Sequence, residues 1–313
     1  MTPDPSEALA ARVGESPFWS GVGWRLESAS SGNVRIRLPY SEDNTTAATA
    51  LHGGAIAATL DAAGCLATYS TGVAESDFAR TLSCDVSYIA GALGEDIFGE
   101  AQVLRRGKEI VYSRVEAQNG DGKLLAVSNH ISHVAPGTKP NSLPDQDPAD
   151  QVPPLRPAVG IGSIPHLAQD TVDQNVSLLE KMDGRMPYMA QLGWTFISGG
   201  DGFAEFLLSG SGQARGEEGM LAGGALLSAV DHAGSLAAWM TSKLGDRTLF
   251  GSTVNTKLQT FAPVVDRDVR VKARAAGGDG TLINSIVDIV TEGGESVASG
   301  STVYRIVRRK PGG

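Results

Sequence analysis

Two stretches of the chain are apolar on every side. Ala55 to Tyr69 holds one charged residue, Asp61, and Ala225 to Met240 holds Asp231 with His232 beside it. A helix without a polar face is a buried helix, so both stretches are expected as long central helices. Before the first comes an alternation, Val34, Ile36 and Leu38, that follows a Gly-containing turn and reads as two strands. After it come further alternating runs broken by turn residues. The order is helix, strand, strand, long helix, then three strands, and the same order returns in the second half. This is an α+β pattern built on an antiparallel sheet, not a βαβ alternation.

The return is a sequence repeat. At a shift of 170 residues, Gly23-Trp24 matches Gly193-Trp194, and LHGGAIAATLDAAG from Leu51 matches LAGGALLSAVDHAG from Leu221. After the helix the shift becomes 172, where LSCDVSYIAGALGEDI matches VNTKLQTFAPVVDRDV. A near-constant offset over most of both halves marks a tandem duplication. Seven of the 15 prolines fall between Pro136 and Pro157, which suits an extended connector. The expected division is a first domain at 1–135, a Pro-rich linker at 136–162 and a second domain at 163–313.

Composition narrows the class. Of 313 residues, 41% are hydrophobic and 19% charged, as in ordinary globular proteins. The net charge of −9 argues against a nucleic-acid binder. No stretch reaches the roughly 18 apolar residues of a membrane span, and the N-terminus does not read as a secretory signal, so a cytoplasmic protein without a membrane partner is expected. Cys65 and Cys84 make neither a disulfide framework nor a metal motif and read as small buried residues. His130 and His133, three apart on a strand, face opposite sides, so no metal is expected there.

A carboxylate on a buried helix is costly unless it is paired, hydrogen-bonded or solvated in a cleft. The plain explanation is a structural Asp bonded to a hydroxyl such as Thr59 or Ser228. Keeping that residue in both copies favours a working group. The Gly-Gly pairs, Gly53-Gly54 and Gly223-Gly224, open the helix starts to close approach, and the unpaired N–H groups there can stabilise an oxyanion. Nine positions separate His52 from Asp61, about 13 Å along a helix, too far for one helix to supply both parts. Two antiparallel helices would solve this. Composite sites are therefore expected, one joining the His52–Gly53–Gly54 turn to Asp231, the other joining the Ala222–Gly223–Gly224 turn to Asp61.

The segment Leu51-His52-Gly53-Gly54, with Asp61 nine residues after the His, resembles the hot-dog fold acyl-CoA thioesterases of the phenylacetate-pathway and human thioesterase-superfamily type. TLSCDVSYIAGALGEDI looks like that family's central strand. The resemblance implies a double hot-dog and hydrolysis of an acyl-CoA thioester without a cofactor. By the same resemblance, the turn glycine N–H holds the carbonyl, the helix Asp acts as base or nucleophile, and a strand hydroxyl, Thr81 or Thr253 here, orients water. The family's Asn six residues before the His is Thr46 in one copy, with Asn44 nearby, and Gly216 in the other. Because His52 becomes Ala222 in the second copy, the His52/Gly53/Asp231/Thr253 site is expected to be the better equipped. Arg105, Arg106 and Lys108, around a hairpin turn, are candidates to grip CoA phosphates, with Gly54 and Gly224 as further substrate contacts. A homo-oligomer, a dimer of double hot-dogs, is expected. The alternatives are a non-catalytic acyl-CoA binder or sensor and a hot-dog dehydratase or hydratase, for which His232 is the candidate base.

Overall fold

The computed structural model describes residues 5–46, 50–74, 77–135, 164, 166–182 and 185–308. The first half contains α1 (Pro5–Glu15), α2 (Pro17–Val22), β1 (Arg25–Ser30), β2 (Asn33–Leu38) and the long helix α3 (Gly53–Tyr69). It continues with β3 (Phe78–Tyr88), β4 (Ile97–Arg106), β5 (Ile110–Asn119) and β6 (Leu124–Ala135). The second half repeats the order. It has α4 (Gln169–Met182), α5 (Pro187–Gln191), β7 (Trp194–Gly200), β8 (Phe203–Leu208) and α6 (Gly223–Trp239), then β9 (Leu249–Thr260), β10 (Val269–Gly278), β11 (Leu282–Thr291) and β12 (Ser296–Arg308). Four strands follow each long helix, where the sequence pattern suggested three. The hairpin turn expected around Gly107 is present: the Gly107 N–H bonds the Ile110 carbonyl at 2.8 Å, between β4 and β5. The expected linker lies outside the described residues.

The strands form one antiparallel sheet of twelve, in the order β1-β2-β4-β5-β6-β3-β9-β12-β11-β10-β8-β7. The two halves meet at its centre, where β3 pairs with β9 from Ser83 opposite Gln259 to Ser87 opposite Asn255. Side chains reinforce this seam: Asn255 Nδ2 donates to Asp85 Oδ1 at 2.8 Å, and Lys257 Nζ lies 3.0 Å from Asp85. The period-2 pattern holds as read, with Val34, Ile36 and Leu38 pointing into the core. The turn between β1 and β2 needs Gly32 at φ +78°, and its counterpart needs Gly202 at +65°.

The inner surface of the sheet covers α3 in one half and α6 in the other. Leu60, Leu66 and Leu227 on the helices, and Ile36, Ile97 and Leu125 on the strands, are fully buried. Each such side chain contributes about 1.5–3 kcal/mol by leaving water. The helices also pack on each other, and they run antiparallel. An ideal Cβ at Gly54 would lie 2.9 Å from Ser228 Cβ, and one at Gly224 would lie 3.2 Å from Ala58 Cβ. Ser228 Oγ, two turns into nothing but apolar helix, donates to the Gly54 carbonyl at 2.9 Å.

Close packing of helix on sheet makes one strand glycine indispensable. A Cβ at Gly300 in β12 would stand 2.4 Å from the Lys257 carbonyl oxygen and 2.6 Å from Val230 Cγ1 of α6. Gly300→Ala is expected to lower stability by about 1–3 kcal/mol in urea denaturation. Gly91→Ala, where an added Cβ meets nothing within 4 Å, serves as the control and should change stability little.

Candidate active site

The antiparallel helices put the start of each beside the aspartate of the other. At one end, an ideal Cβ on Gly223 would fall 2.1 Å from Thr81 Oγ1 and 3.2 Å from Asp61 Oδ1. Only glycine lets the start of α6 stand this close to the carboxylate. Asp61 is 2% exposed. Thr81 Oγ1 donates to its Oδ1 at 2.6 Å, and His130 Nε2 lies 3.1 Å from the same oxygen. Oδ2 carries no side-chain donor among the described residues. A cleft of about 60 Å³ opens on this group, lined by Asp61, Thr81 and Arg80 from the first half and by Gly216, Gly223 and Leu226 from the second. Ala222 precedes α6 and offers no side-chain cap, and with Gly223 it lines the cleft, so the positive end of the helix dipole stands at the cleft.

The opposite end is built from the same parts but closed differently. A Cβ on Gly53 would lie 2.8 Å from Asp231 Oδ2. Here His52 caps the helix, its Nδ1 accepting the Gly54 N–H at 2.9 Å. Asp231 accepts Thr256 Oγ1 at 3.1 Å. Burial pushes Asp231 up to about 6, while donors from Thr253, Thr256, Tyr88 and the Gly54 N–H pull it back. Tyr88 Oη donates to the Gly53 carbonyl at 3.1 Å. Behind the turn, His52 Nε2 meets His232 Nδ1 at 3.2 Å, and the two rings pack against Tyr188 and Trp194. His232 is thus paired with a second histidine, not with a carboxylate.

Both expected pairings of turn and aspartate are therefore spatial neighbours. The two ends are finished differently. At one, His52 caps the Gly54 N–H; at the other, Ala222 gives no side-chain cap and a cleft is present. Neither Thr59 nor Ser228 bonds an aspartate: Thr59 Oγ1 donates to the Ala55 carbonyl at 2.8 Å, and Ser228 turns to Gly54. Asn44 is tied into the framework, donating to the Val22 carbonyl at 3.0 Å. Thr46 bonds back to the Ala50 carbonyl at 3.4 Å. Arg105, Arg106 and Lys108 are exposed on the β4–β5 hairpin and do not line the cleft at Asp61.

His130 is the site residue that sequence reasoning passed over. It and His133 do face opposite sides of β6, but the inward one reaches Asp61. Gly64 makes this possible, since a Cβ there would be 2.6 Å from the His130 ring. The available signal was the repeat itself, because at the matching inward position the second copy carries Thr302.

Comparison with known proteins gives the family. The model of the thioesterase superfamily matches residues 49–126, from just before the His52 turn into β6. Human acyl-coenzyme A thioesterase 13 is 32% identical over 137 residues, covering 43% of this chain and 96% of that protein. The chain belongs to the thioesterase superfamily. Two solved structures align over nearly the whole chain. The tesB protein of Mycobacterium avium subspecies paratuberculosis aligns at TM-score 0.58 and 12% identity, covering 97% of this chain and 99% of that one. The acyl-CoA thioesterase II TesB2 of Mycobacterium marinum aligns at 0.55 and 12%, covering 91% and 97%. The fold is a double hot-dog, and this thioesterase carries in one chain both halves of its paired helices. No helix among the described residues is long and apolar enough to cross a membrane.

The buried groups of the thioesterase also shape its acid stability. Burial lowers His52 to about 4, and burial together with His52 lowers His232. Stability from such groups is present above about pH 6.5 and is lost as pH falls through about 4. Asp231, raised to about 6, works in the opposite sense: its contribution is present at low pH and is lost as pH rises through about 6. Asp231→Asn removes that opposing contribution. Its urea midpoint should then fall more steeply than wild type between pH 7 and 4.5, and parallel slopes would contradict this assignment.

Proposed function

We propose that this thioesterase hydrolyses acyl-CoA thioesters at the Asp61 end. The observation that carries the reading is the cleft that joins an uncapped helix start to a buried carboxylate. A thioester carbonyl placed at the Gly223 and Gly224 N–H groups would have its oxygen stabilised as negative charge develops. Thr81 Oγ1 donates to Asp61 Oδ1 and His130 Nε2 lies beside the same oxygen, which leaves Oδ2 to act. Oδ2 takes a proton from a water attacking the carbonyl carbon, or attacks that carbon itself and is released by water in a second step. In either route the C–S bond breaks, the CoA thiolate leaves and collects a proton, and the free acid remains. The steps use only this chain's side chains and backbone, so no cofactor is proposed. The apolar wall at Trp19, Leu226 and Val264 suits the acyl portion.

The substrate class is supported by the likeness to human acyl-coenzyme A thioesterase 13, and the superfamily match at residues 49–126 includes the His52 turn and Asp61. A binding protein without turnover is the second reading, favoured by Thr46 and Gly216 where the family's Asn stands. The deciding experiment is release of CoA thiol from short, medium, long and aryl acyl-CoAs. Asp61→Asn should lower kcat by about 100–10,000-fold, the range for losing a positioned base. Asp231→Asn should lower it less than about 10-fold. The reverse order would place the working site at the His52 end. No thiol release with any substrate, alongside measurable binding of the esters, would make the chain a binding protein.

A pH profile separates the two ends. Any residual turnover in Asp61→Asn that comes from Asp231 needs the ionised carboxylate. It should fall as the pH is lowered through about 6, the value to which burial raises Asp231. Residual turnover that is flat across that range would not come from Asp231.

A further inference from the structure

Three buried side chains of different chemistry converge beside the Asp61 cleft, which Asp61 and Cys65 line and behind which His130 stands. Asp61 and Cys65 are one helical turn apart on α3, and His130 reaches them from β6. They are 2%, 4% and 1% exposed. One ligand atom from each lies within 4.8 Å of the others. His130 Nε2 stands 3.1 Å from Asp61 Oδ1 and 3.8 Å from Cys65 Sγ. A tetrahedral zinc ion with bonds of about 2.0 Å to N and O and about 2.3 Å to S spaces its ligands roughly 3.3–3.6 Å apart. The two separations from His130, 3.1 and 3.8 Å, bracket that range.

We propose that Asp61, Cys65 and His130 bind one zinc-class divalent cation, and that its binding shuts off the Asp61 site. The second clause rests on the reading of Asp61 as the working carboxylate. The donor set is thiolate, imidazole and carboxylate, the mixture borderline-soft cations select and hard ones such as magnesium avoid. Charge also balances. Cys65 releases its proton to solvent on binding, so a dication with one thiolate and one carboxylate is neutral, which a buried site requires. The cleft supplies the open fourth position. His130 is oriented from behind, with Nδ1 3.4 Å from Ser132 Oγ, which in turn accepts Thr68 Oγ1 at 2.9 Å. The Ser132 hydroxyl can accept the Nδ1 proton when Nε2 turns to the metal, the usual support for a ligating histidine.

The second copy provides the internal contrast. At the positions of Cys65 and His130 it carries Ser235 and Thr302, while Asp231 is kept. Thr302 Oγ1 is engaged by the Val230 carbonyl at 3.0 Å, and Ser235 Oγ lies 3.4 Å from Thr253 Oγ1. A fold that needed only hydrogen bonds behind its aspartate has such a solution in one half. In the other half the same two positions hold a thiol and an imidazole.

The test is titration of the full chain with Co²⁺, read by sulfur-to-cobalt charge-transfer absorbance, and with Zn²⁺, read by calorimetry. One equivalent is expected to bind, with a thiolate band that disappears in both Cys65→Ser and His130→Thr, each checked by circular dichroism for an intact fold. Zinc affinity in those variants should fall by at least the roughly 10–100-fold seen for losing an outer partner of a metal ligand. Zinc should inhibit CoA release by the wild type, a chelator should restore it, and Cys65→Ser should lose a smaller fraction of its own metal-free rate at the same zinc concentration. Absence of the band, or a band that survives Cys65→Ser and so belongs to Cys84, overturns the site. Metal binding without any CoA release leaves the site standing and overturns the thioesterase reading instead. Metal binding with undiminished CoA release overturns the shut-off.

Discussion

The approach of two helix starts to two buried carboxylates governs this molecule. Each contact is a near-touch between a glycine and an aspartate of the other half, tight enough that one methyl group would collide with the carboxyl or its threonine. The same crossing fixes the antiparallel order of α3 and α6, and the sheet has to close around that pair. Burying two carboxylates in an all-apolar helix layer is unfavourable unless each finds donors. The donors come from β3 and β6 on one side and from β9, β3 and the start of α3 on the other, so sheet register and site chemistry are set together.

The two ends have diverged around this shared frame. At one, a histidine caps the helix and joins a second histidine and a group of aromatic rings, and the aspartate is enclosed by hydroxyl donors. At the other, alanine leaves the helix start uncapped, a cleft reaches the carboxylate, and a histidine from the sheet steadies it. These are exchanges of partners, not of backbone. Gly64 and Gly234 occupy matching places under the residue at position 130 or 302, and either a ring or a threonine fits there.

Much of this could be read from the chain because the signals were local and repeated. The all-apolar helices, the Gly-Gly starts and the offset between copies fix the fold class. Helix rise alone shows that His52 and Asp61 cannot share one site. What escaped depends on three-dimensional neighbours. His130 lies 69 positions from Asp61, and nothing in its own stretch of β6 marks the inward side as special. The role of His52 as a cap was also out of reach, because it depends on the ring turning back so that its Nδ1 accepts the Gly54 N–H.

The continuous pairing of β3 with β9 has an evolutionary meaning. In a dimer of identical single domains, every substitution appears at both ends at once, so any change that harms one site harms its twin. Covalent duplication breaks that symmetry while keeping the shared sheet. A thiol, an imidazole or a capping histidine can then arise at one end and be absent from the other, and the protein can explore new chemistry at one carboxylate while the second holds the original frame in place.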